Sequence, residues 1–503
     1  MAHPDQIRRI ARRFPEKICV VEGDRSLTFA EVDRRADLAA DAWLADGLVA
    51  GERVAVLAHN ELEYLEFQIA AQRAGLVLVP LNTRFKAAEL QQVLNDCQPR
   101  VLIQGPGFDE VGAALDVQRR WHLGTNGAGD SYEARLQAAR ATPRPVADPD
   151  ALASLLYTSG TTGHPKGAMI SNRALLARSL SLGVELAIGP DDVFLQALPM
   201  FHLAQTFSCA FAMLGATNVM LKGFDPKAAL AALGRYRVTH TLMVPMMIRM
   251  LVEHPDLAGT DRSALRALLY GGSSISQAEL RRALDAFRCG FFQMYGMTET
   301  GPATLLRPAE HDPAQPQWLA SAGSDIVTFD VAVVDHEGQA CAPGARGEIV
   351  IDGPALMSGY WQRPQETATA LRGGRMHTGD VGHFDTDGLL HVTDRLKDII
   401  ISGGENVSST EVEKVLMAHA SVAECAVVAV PDERLGERVH AVVVLAANTT
   451  LSESDLDTHC RELLAGYKRP RSYSVSPVLP RTATGKVQKN LLRDALKREP
   501  AGP

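Results

Sequence analysis

The chain has 503 residues, 46% of them hydrophobic and 22% charged, the composition of a globular protein too long for one hydrophobic core, so at least two domains are expected. A formal net charge of −8 argues against non-specific nucleic-acid binding as the main task. No apolar stretch reaches about 18 residues and the start has no signal-peptide core, so a cytoplasmic protein without a membrane span is predicted. Cysteines at 19, 97, 209, 289, 341, 425 and 460 form no CxxC pair and are odd in number, which predicts reduced thiols rather than disulfides or zinc.

Near the start, Ile7, Ile10, Ala11 and Phe14 recur at helical spacing beside Arg8, Arg9, Arg12 and Arg13. Such a stripe docks on its own domain, or as a basic amphipathic helix makes weak peripheral membrane contact. Further on, Arg53–Leu57 reads as a strand, Glu61–Ala74 as a helix, Leu76–Pro80 as a strand, Ala87–Asn95 as a helix and Arg100–Gln104 as a strand. That alternation predicts an α/β fold with parallel sheets flanked by helices. Ala139–Asp150 reads as a polar linker, and Ser324–Tyr360 as short strands (Val331–Val334, Gly347–Ile351) of a β-barrel-like lobe. After Asp394 follow a Gly-rich turn, a helix at Ser409–Ala418, strands at Glu424–Val430 and Val439–Leu445, a helix near Ser454–Leu464 and a basic tail. The expected organisation is a large multi-lobed N-terminal domain, 1–393, a hinge at 394–397, and a small mobile α+β domain of roughly 105 residues, 398–503.

The most informative segment is Tyr157-Thr-Ser-Gly-Thr-Thr-Gly-His-Pro-Lys166-Gly, which follows the apolar run Leu152–Leu156. Glycines and clustered hydroxyls favour irregular backbone, so the run reads as a loop after a core strand. Its bare N–H groups, its hydroxyls and the flexible cation Lys166 suit a polyphosphate. It is not a GxxxxGK[ST] loop, since no Ser or Thr follows the lysine. A second segment, Gln293-Met-Tyr-Gly-Met-Thr-Glu-Thr300, reads as a loop that brings an aromatic, a glycine, a hydroxyl and a carboxylate together.

With these motifs the chain resembles the acyl-adenylate-forming ligases: acyl-CoA synthetases, adenylation domains of peptide synthetases, and firefly luciferase. The resemblance spans nearly the whole chain and several separated motifs in order. It implies that Thr158, Ser159, Gly160, Thr161, Thr162, Gly163 and Lys166 hold ATP phosphates, that Tyr295 stacks on the purine beside Gly296, that Thr298 bonds the α-phosphate, and that Glu299 takes Mg²⁺. Gly271-Gly272-Ser273 is both a strand-end turn and, by resemblance, a bare edge against adenine. Asp380, in His377-Thr-Gly-Asp, resembles the ribose-binding aspartate, Arg395 the arginine that reaches ribose and phosphate, and Lys397 the hinge residue. Lys486, in Pro480-Arg-Thr-Ala-Thr-Gly-Lys, resembles the lysine that stabilises carboxylate and α-phosphate oxygens during adenylation. His202, in Leu198-Pro-Met-Phe-His, resembles the histidine beside the acyl and thiol channels. Ser402, Gly403, Gly404, Glu405, Asn406 and Lys468 match segments that line the coenzyme A channel. By family position Phe201, Phe207, Met243, Met247, Met294, Met297 and Leu305 border the acid, an apolar, methionine-rich set that suits aliphatic chains. The implied function is ligation of a carboxylic acid, a medium- or long-chain fatty acid, to coenzyme A through acyl-AMP, using MgATP. Aromatic acids, and loading of a carrier protein in place of coenzyme A, stay open, as does the oligomeric state, a homodimer being one option. A luciferase-like oxygenase would demand a special luciferin, and a non-catalytic sensor would lack Lys486, Glu299 or Asp380.

Overall fold

The computed structural model describes residues 3–124, 131–144, 148–158, 165–273, 275–403, 405–432, 434–447, 449–450, 452–481 and 487–498. The chain gathers into two compact units, Met1–Val331 with Ile351–Met376, and Ala332–Val350 with His377–Pro503.

In the first unit, strand Arg53–Leu57 shows how the sequence builds the sheets. Val54 and Val56 join one buried cluster, and Ala55 and Leu57 another. Alternate residues point to opposite faces, so a short apolar run buried on both faces makes a parallel strand covered by helices. Among the described residues this strand lies in a seven-stranded sheet ordered Gly359–Tyr360, Lys166–Ser171, Leu152–Thr158, Val77–Pro80, Arg53–Leu57, Val101–Gln104, Arg120–His122. The strands from Leu152–Thr158 onward are parallel, while Lys166–Ser171 and Gly359–Tyr360 are antiparallel additions. A nine-stranded sheet is ordered Ser324–Asp325, Gly301–Leu306, Gly290–Met297, Ala267–Gly271, His240–Met243, Val193–Gln196, Thr217–Met220, Ile18–Glu22, Arg25–Thr28. It is parallel inside and antiparallel at both ends. The α/β class with parallel sheets is therefore observed.

The first helix, His3–Arg13, buries Ile7 and Ala11 in its own unit's core, and Arg8 Nη2 lies 2.7 Å from Asp37 Oδ1. The apolar stripe is used internally. The short strands read at 324–360 as a barrel-like lobe are instead shared among three sheets. Two of them, Ser324–Asp325 and Gly359–Tyr360, are two-residue edge strands, too short to close a barrel. Segment 293–300, read as a loop, is mostly strand, since Gly290–Met297 pairs with Gly301–Leu306. Only Thr298–Thr300 turn. Gly296 makes the tight return feasible: a Cβ there would stand 2.0 Å from Gly301 O.

The second unit carries a four-stranded sheet (Asp330–Val334, Gly347–Asp352, Met376–Phe384, Leu390–Arg395) and a five-stranded sheet centred on the antiparallel pair Val422–Asp432 and Gly436–Leu445. Helices Ser409–Leu416 and Glu453–Leu463 cover the latter through Val412, Leu416, Leu456 and Cys460. The small α+β domain is thus present. All seven cysteines are unpaired, and among the described residues no helix is long and apolar enough to cross a membrane.

Candidate active site

In the first unit, the strands Leu152–Thr158 and Lys166–Ser171 flank the glycine- and threonine-rich segment 159–164 in sequence, with Thr158 directly opposite Lys166. Ser159, Gly160, Thr161, Thr162 and Gly163 lie outside the described residues. Lys166 is thus the first residue of a strand rather than the end of the loop. That fixes its backbone and leaves the long side chain to reach. Its ammonium sits 5.4 Å from the ring centre of Tyr360.

Glu299 is 5% exposed, and both its side chain and its backbone are held. Tyr360 Oη donates to Glu299 Oε1 at 2.8 Å. The Glu299 carbonyl accepts from Met357 N–H at 2.7 Å and from Arg178 Nη2 at 3.1 Å, while Arg178 Nε donates to Ala355 O at 2.9 Å. Arg178 Nη1 finds no partner among the described residues, and burial pushes the guanidinium down to about 9, with the Glu299 charge opposing. Oε2 of Glu299 is not engaged by a hydrogen bond among the described residues. A carboxylate with one oxygen held and one available is a hard oxygen donor of the kind Mg²⁺ takes, so the residues fit the ion. Tyr295, Met297 and Thr298 are half-buried nearby in sequence.

Gly271 ends its strand where a Cβ would meet Met294 O at 2.7 Å, so a side chain here would push the neighbouring strand away. Gly272 and Ser273 follow, exposed. The edge is as bare as adenine would need.

The His202 loop is held by a residue that sequence reading passed over. Buried Asn60 donates through Nδ2 to Leu198 O and Leu221 O, both at 2.9 Å, and accepts Met200 N–H at 2.8 Å. Burial, reinforced by Arg84, pushes the His202 imidazole down to about 4, so it is neutral at physiological pH, and its Nε2 has no partner among the described residues. A neutral imidazole beside Phe201 offers a hydrogen bond without a charge. Of the expected acyl border, Phe207 falls in a different buried cluster from Met243 and Met247. Phe207 is stacked with Phe194 in one cluster, with Leu242 beside it. Met243 and Met247 belong to the cluster on the other face of that strand, because Leu242 and Met243 point opposite ways.

In the second unit Asp380 and Arg395 face each other across the strands Met376–Phe384 and Leu390–Arg395, with Arg395 Nε 2.8 Å from Asp380 Oδ1. Asp380 therefore sits in a strand. Asp394 Oδ1 accepts the Arg395 N–H and the Ser409 hydroxyl, and Lys489 Nζ donates to Ser409 Oγ at 2.7 Å. Lys397 lies in the short helical turn Leu396–Asp398. Ser402 is buried at the end of Ile400–Ser402, Gly403 and Glu405 are exposed, and Asn406 is in the strand Glu405–Val407. Lys468 Nζ is paired with Glu411 Oε1 at 2.6 Å. Gly404 and Lys486 lie outside the described residues.

Tyr360 and Arg178 were also missed from sequence. The helix Asn172–Glu185 buries Ala174, Leu175, Arg178, Ser179 and Leu182, so an arginine on the apolar stripe was the available signal. Tyr360 stood at the edge of a segment read only as short strands.

Residues 7–361 match the AMP-binding enzyme family, and 411–486 its C-terminal domain. The chain is 40% identical over 489 residues to a feruloyl-CoA synthase of an Amycolatopsis species, covering 96% of this chain and 97% of that one. It is 36% identical over 498 residues to the fatty acid–[acyl-carrier-protein] ligase ScoC of Streptomyces coeruleorubidus, covering 96% and 94%. Among solved structures, the o-succinylbenzoate CoA synthetase MenE of Bacillus subtilis, in complex with its acyl-adenylate intermediate, superposes with a TM-score of 0.87 at 31% identity, covering 99% of each chain. The chain accordingly belongs to the AMP-binding enzyme family of acyl-adenylate-forming ligases and is an AMP-forming acyl-CoA synthetase, with a carboxylic acid, ATP and coenzyme A as its substrates.

Proposed function

We propose that this ligase activates an aromatic, ferulate-like carboxylic acid and passes the acyl group to coenzyme A. The observation that carries the choice of acid is the 40% identity to feruloyl-CoA synthase along nearly the whole of both chains. The packing supports it: Phe194 stacks on both Phe207 and Phe211, and all three are fully buried, so this face of the helix after His202 is filled rather than channelled. A medium- or long-chain fatty acid is the second reading, favoured by half-buried Met294 and Met297 flanking Tyr295.

In the first half-reaction a carboxylate oxygen of the acid attacks the α-phosphorus of ATP, the bond to the β-phosphate's bridging oxygen breaks, and pyrophosphate leaves. Thr158, Ser159, Gly160, Thr161, Thr162, Gly163 and Lys166 hold the phosphates. Tyr295 and Gly271–Ser273 face the base, and Asp380 with Arg395 takes the ribose hydroxyls. Glu299 would hold Mg²⁺, which would supply positive charge to the phosphates. Lys486 stabilises the charge shared by carboxylate and α-phosphate oxygens, and Thr298 bonds the α-phosphate. In the second half-reaction the thiolate of coenzyme A attacks the acyl carbonyl and AMP leaves, with Ser402–Asn406 and Lys468 along the thiol's approach and neutral His202 beside it. A pivot at 394–397 around Lys397 exchanges the two arrangements. Unpaired thiols support a reducing, cytoplasmic setting.

The test is pyrophosphate release with a panel of cinnamates, benzoates and saturated acids from acetate upward. The proposal requires a hydroxycinnamate to have the highest kcat/KM. A roughly fourfold rise per added methylene across the saturated series would install the fatty-acid reading instead.

A further inference from the structure

Tyr360 contacts both Glu299 and Lys166. Its hydroxyl donates to Glu299 Oε1 at 2.8 Å, and its ring lies 5.4 Å from the Lys166 ammonium. A phenol donating to a carboxylate is a charge-assisted hydrogen bond, and an ammonium over a phenol ring is a cation–π contact. The backbone that carries the ring is fixed to the same strand as Lys166. Tyr360 lies opposite Ala168, and Trp361 N–H donates to Gly167 O at 2.8 Å. Tyr360 N–H donates to Thr367 Oγ1 at 2.9 Å, and Trp361 Nε1 to Asp96 O at 3.2 Å. Among the described residues Glu299 and Lys166 make no ion pair with each other.

The geometry points to Tyr360 as a positioning residue that keeps the two charges apart and aimed. It occupies one carboxylate oxygen, which leaves the other for a divalent cation, and it seats the lysine on its ring, which leaves the ammonium's protons for phosphate. Without the phenol, a buried carboxylate and a nearby flexible ammonium would neutralise each other, and both ligands would lose a partner. The inference rests on the reading of Glu299 as the metal ligand.

The test uses Mn²⁺ as the probe, its binding followed by electron paramagnetic resonance on the full chain with α,β-methylene-ATP. Metal-free nucleotide affinity is measured separately in EDTA. Tyr360→Phe keeps the ring and loses the hydroxyl, so Mn²⁺ affinity should fall about tenfold while metal-free nucleotide affinity holds. Tyr360→Leu should weaken both. Glu299→Gln should weaken Mn²⁺ alone. If Glu299→Gln weakens Mn²⁺ and Tyr360→Phe does not, the positioning role falls and the metal ligand stands. If neither variant changes Mn²⁺ affinity, the metal-ligand reading falls and takes this inference with it. Equal losses of Mn²⁺ and metal-free nucleotide in Tyr360→Phe would make Tyr360 a packing residue only.

Discussion

Replacing Arg178 with methionine sets two large opposing terms against each other. The guanidinium is fully buried among the first unit's helices and sheets, and burial holds it near 9 rather than the ordinary 12.5. That drop corresponds to about 5 kcal/mol of unfavourable charge burial. Against it stand two charge-assisted hydrogen bonds, to Ala355 O and Glu299 O, together contributing about 3–6 kcal/mol. The terms nearly cancel, and methionine has similar reach and fills the space without a charge. The melting temperature of Arg178→Met should therefore stay within about 5 °C of wild type. Activity should not survive as well. The Glu299 carbonyl would keep Met357 N–H but lose the arginine, and a shift of about 1 Å in a positioned catalytic group costs on the order of a hundredfold. We expect kcat/KM for pyrophosphate release to fall at least tenfold in a protein that melts normally. Differential scanning calorimetry beside a pyrophosphate-coupled assay separates the two effects. A fall of more than about 10 °C in melting temperature, with kcat/KM per folded molecule unchanged, would make Arg178 a structural residue and refute the argument.

Buried His311 donates through Nδ1 to Arg307 O at 2.9 Å and pairs at Nε2 with Tyr270 Oη, 3.0 Å away, and burial pushes it down to about 4. The unfolded histidine takes its proton near pH 6.5 and the folded one only near 4, so stability is lost as pH falls through that window. Between pH 7.5 and 5 the wild type should lose about 2 kcal/mol more than His311→Gln in urea denaturation, and equal losses would show that the ring is free to charge. Lys486→Ala should lower acyl-AMP formation about a hundredfold, a barrier increase of about 3 kcal/mol, while thioester formation from supplied acyl-AMP persists; matching losses in both steps would assign Lys486 to the fold.

Much of the architecture was legible because local pattern and tertiary role agree. Arg53–Leu57 and Ala87–Asn95 emerge at Arg53–Leu57 and Ala87–Cys97, since apolar alternation and helical spacing each had one buried outcome. The loop around 293–300 misled because Tyr, Gly and Thr look irregular alone, yet pairing with Gly301–Leu306 overrides that preference. Phe207 and Met243 part for a different reason. Position in a motif does not say which face of a strand a side chain takes, and Leu242 and Met243 part at that step. Arg178, Asn60 and Tyr360 act through contacts 121, 140 and 61 residues away, beyond the range of any local pattern.

In an AMP-forming ligase the acid is activated on AMP before any thiol arrives. The most direct measurement of this is acid-dependent exchange of labelled pyrophosphate into ATP with coenzyme A absent. Exchange should require both the acid and a divalent cation, with AMP as the only nucleotide product once coenzyme A is added. Exchange that demands coenzyme A, or release of ADP and phosphate, would contradict it.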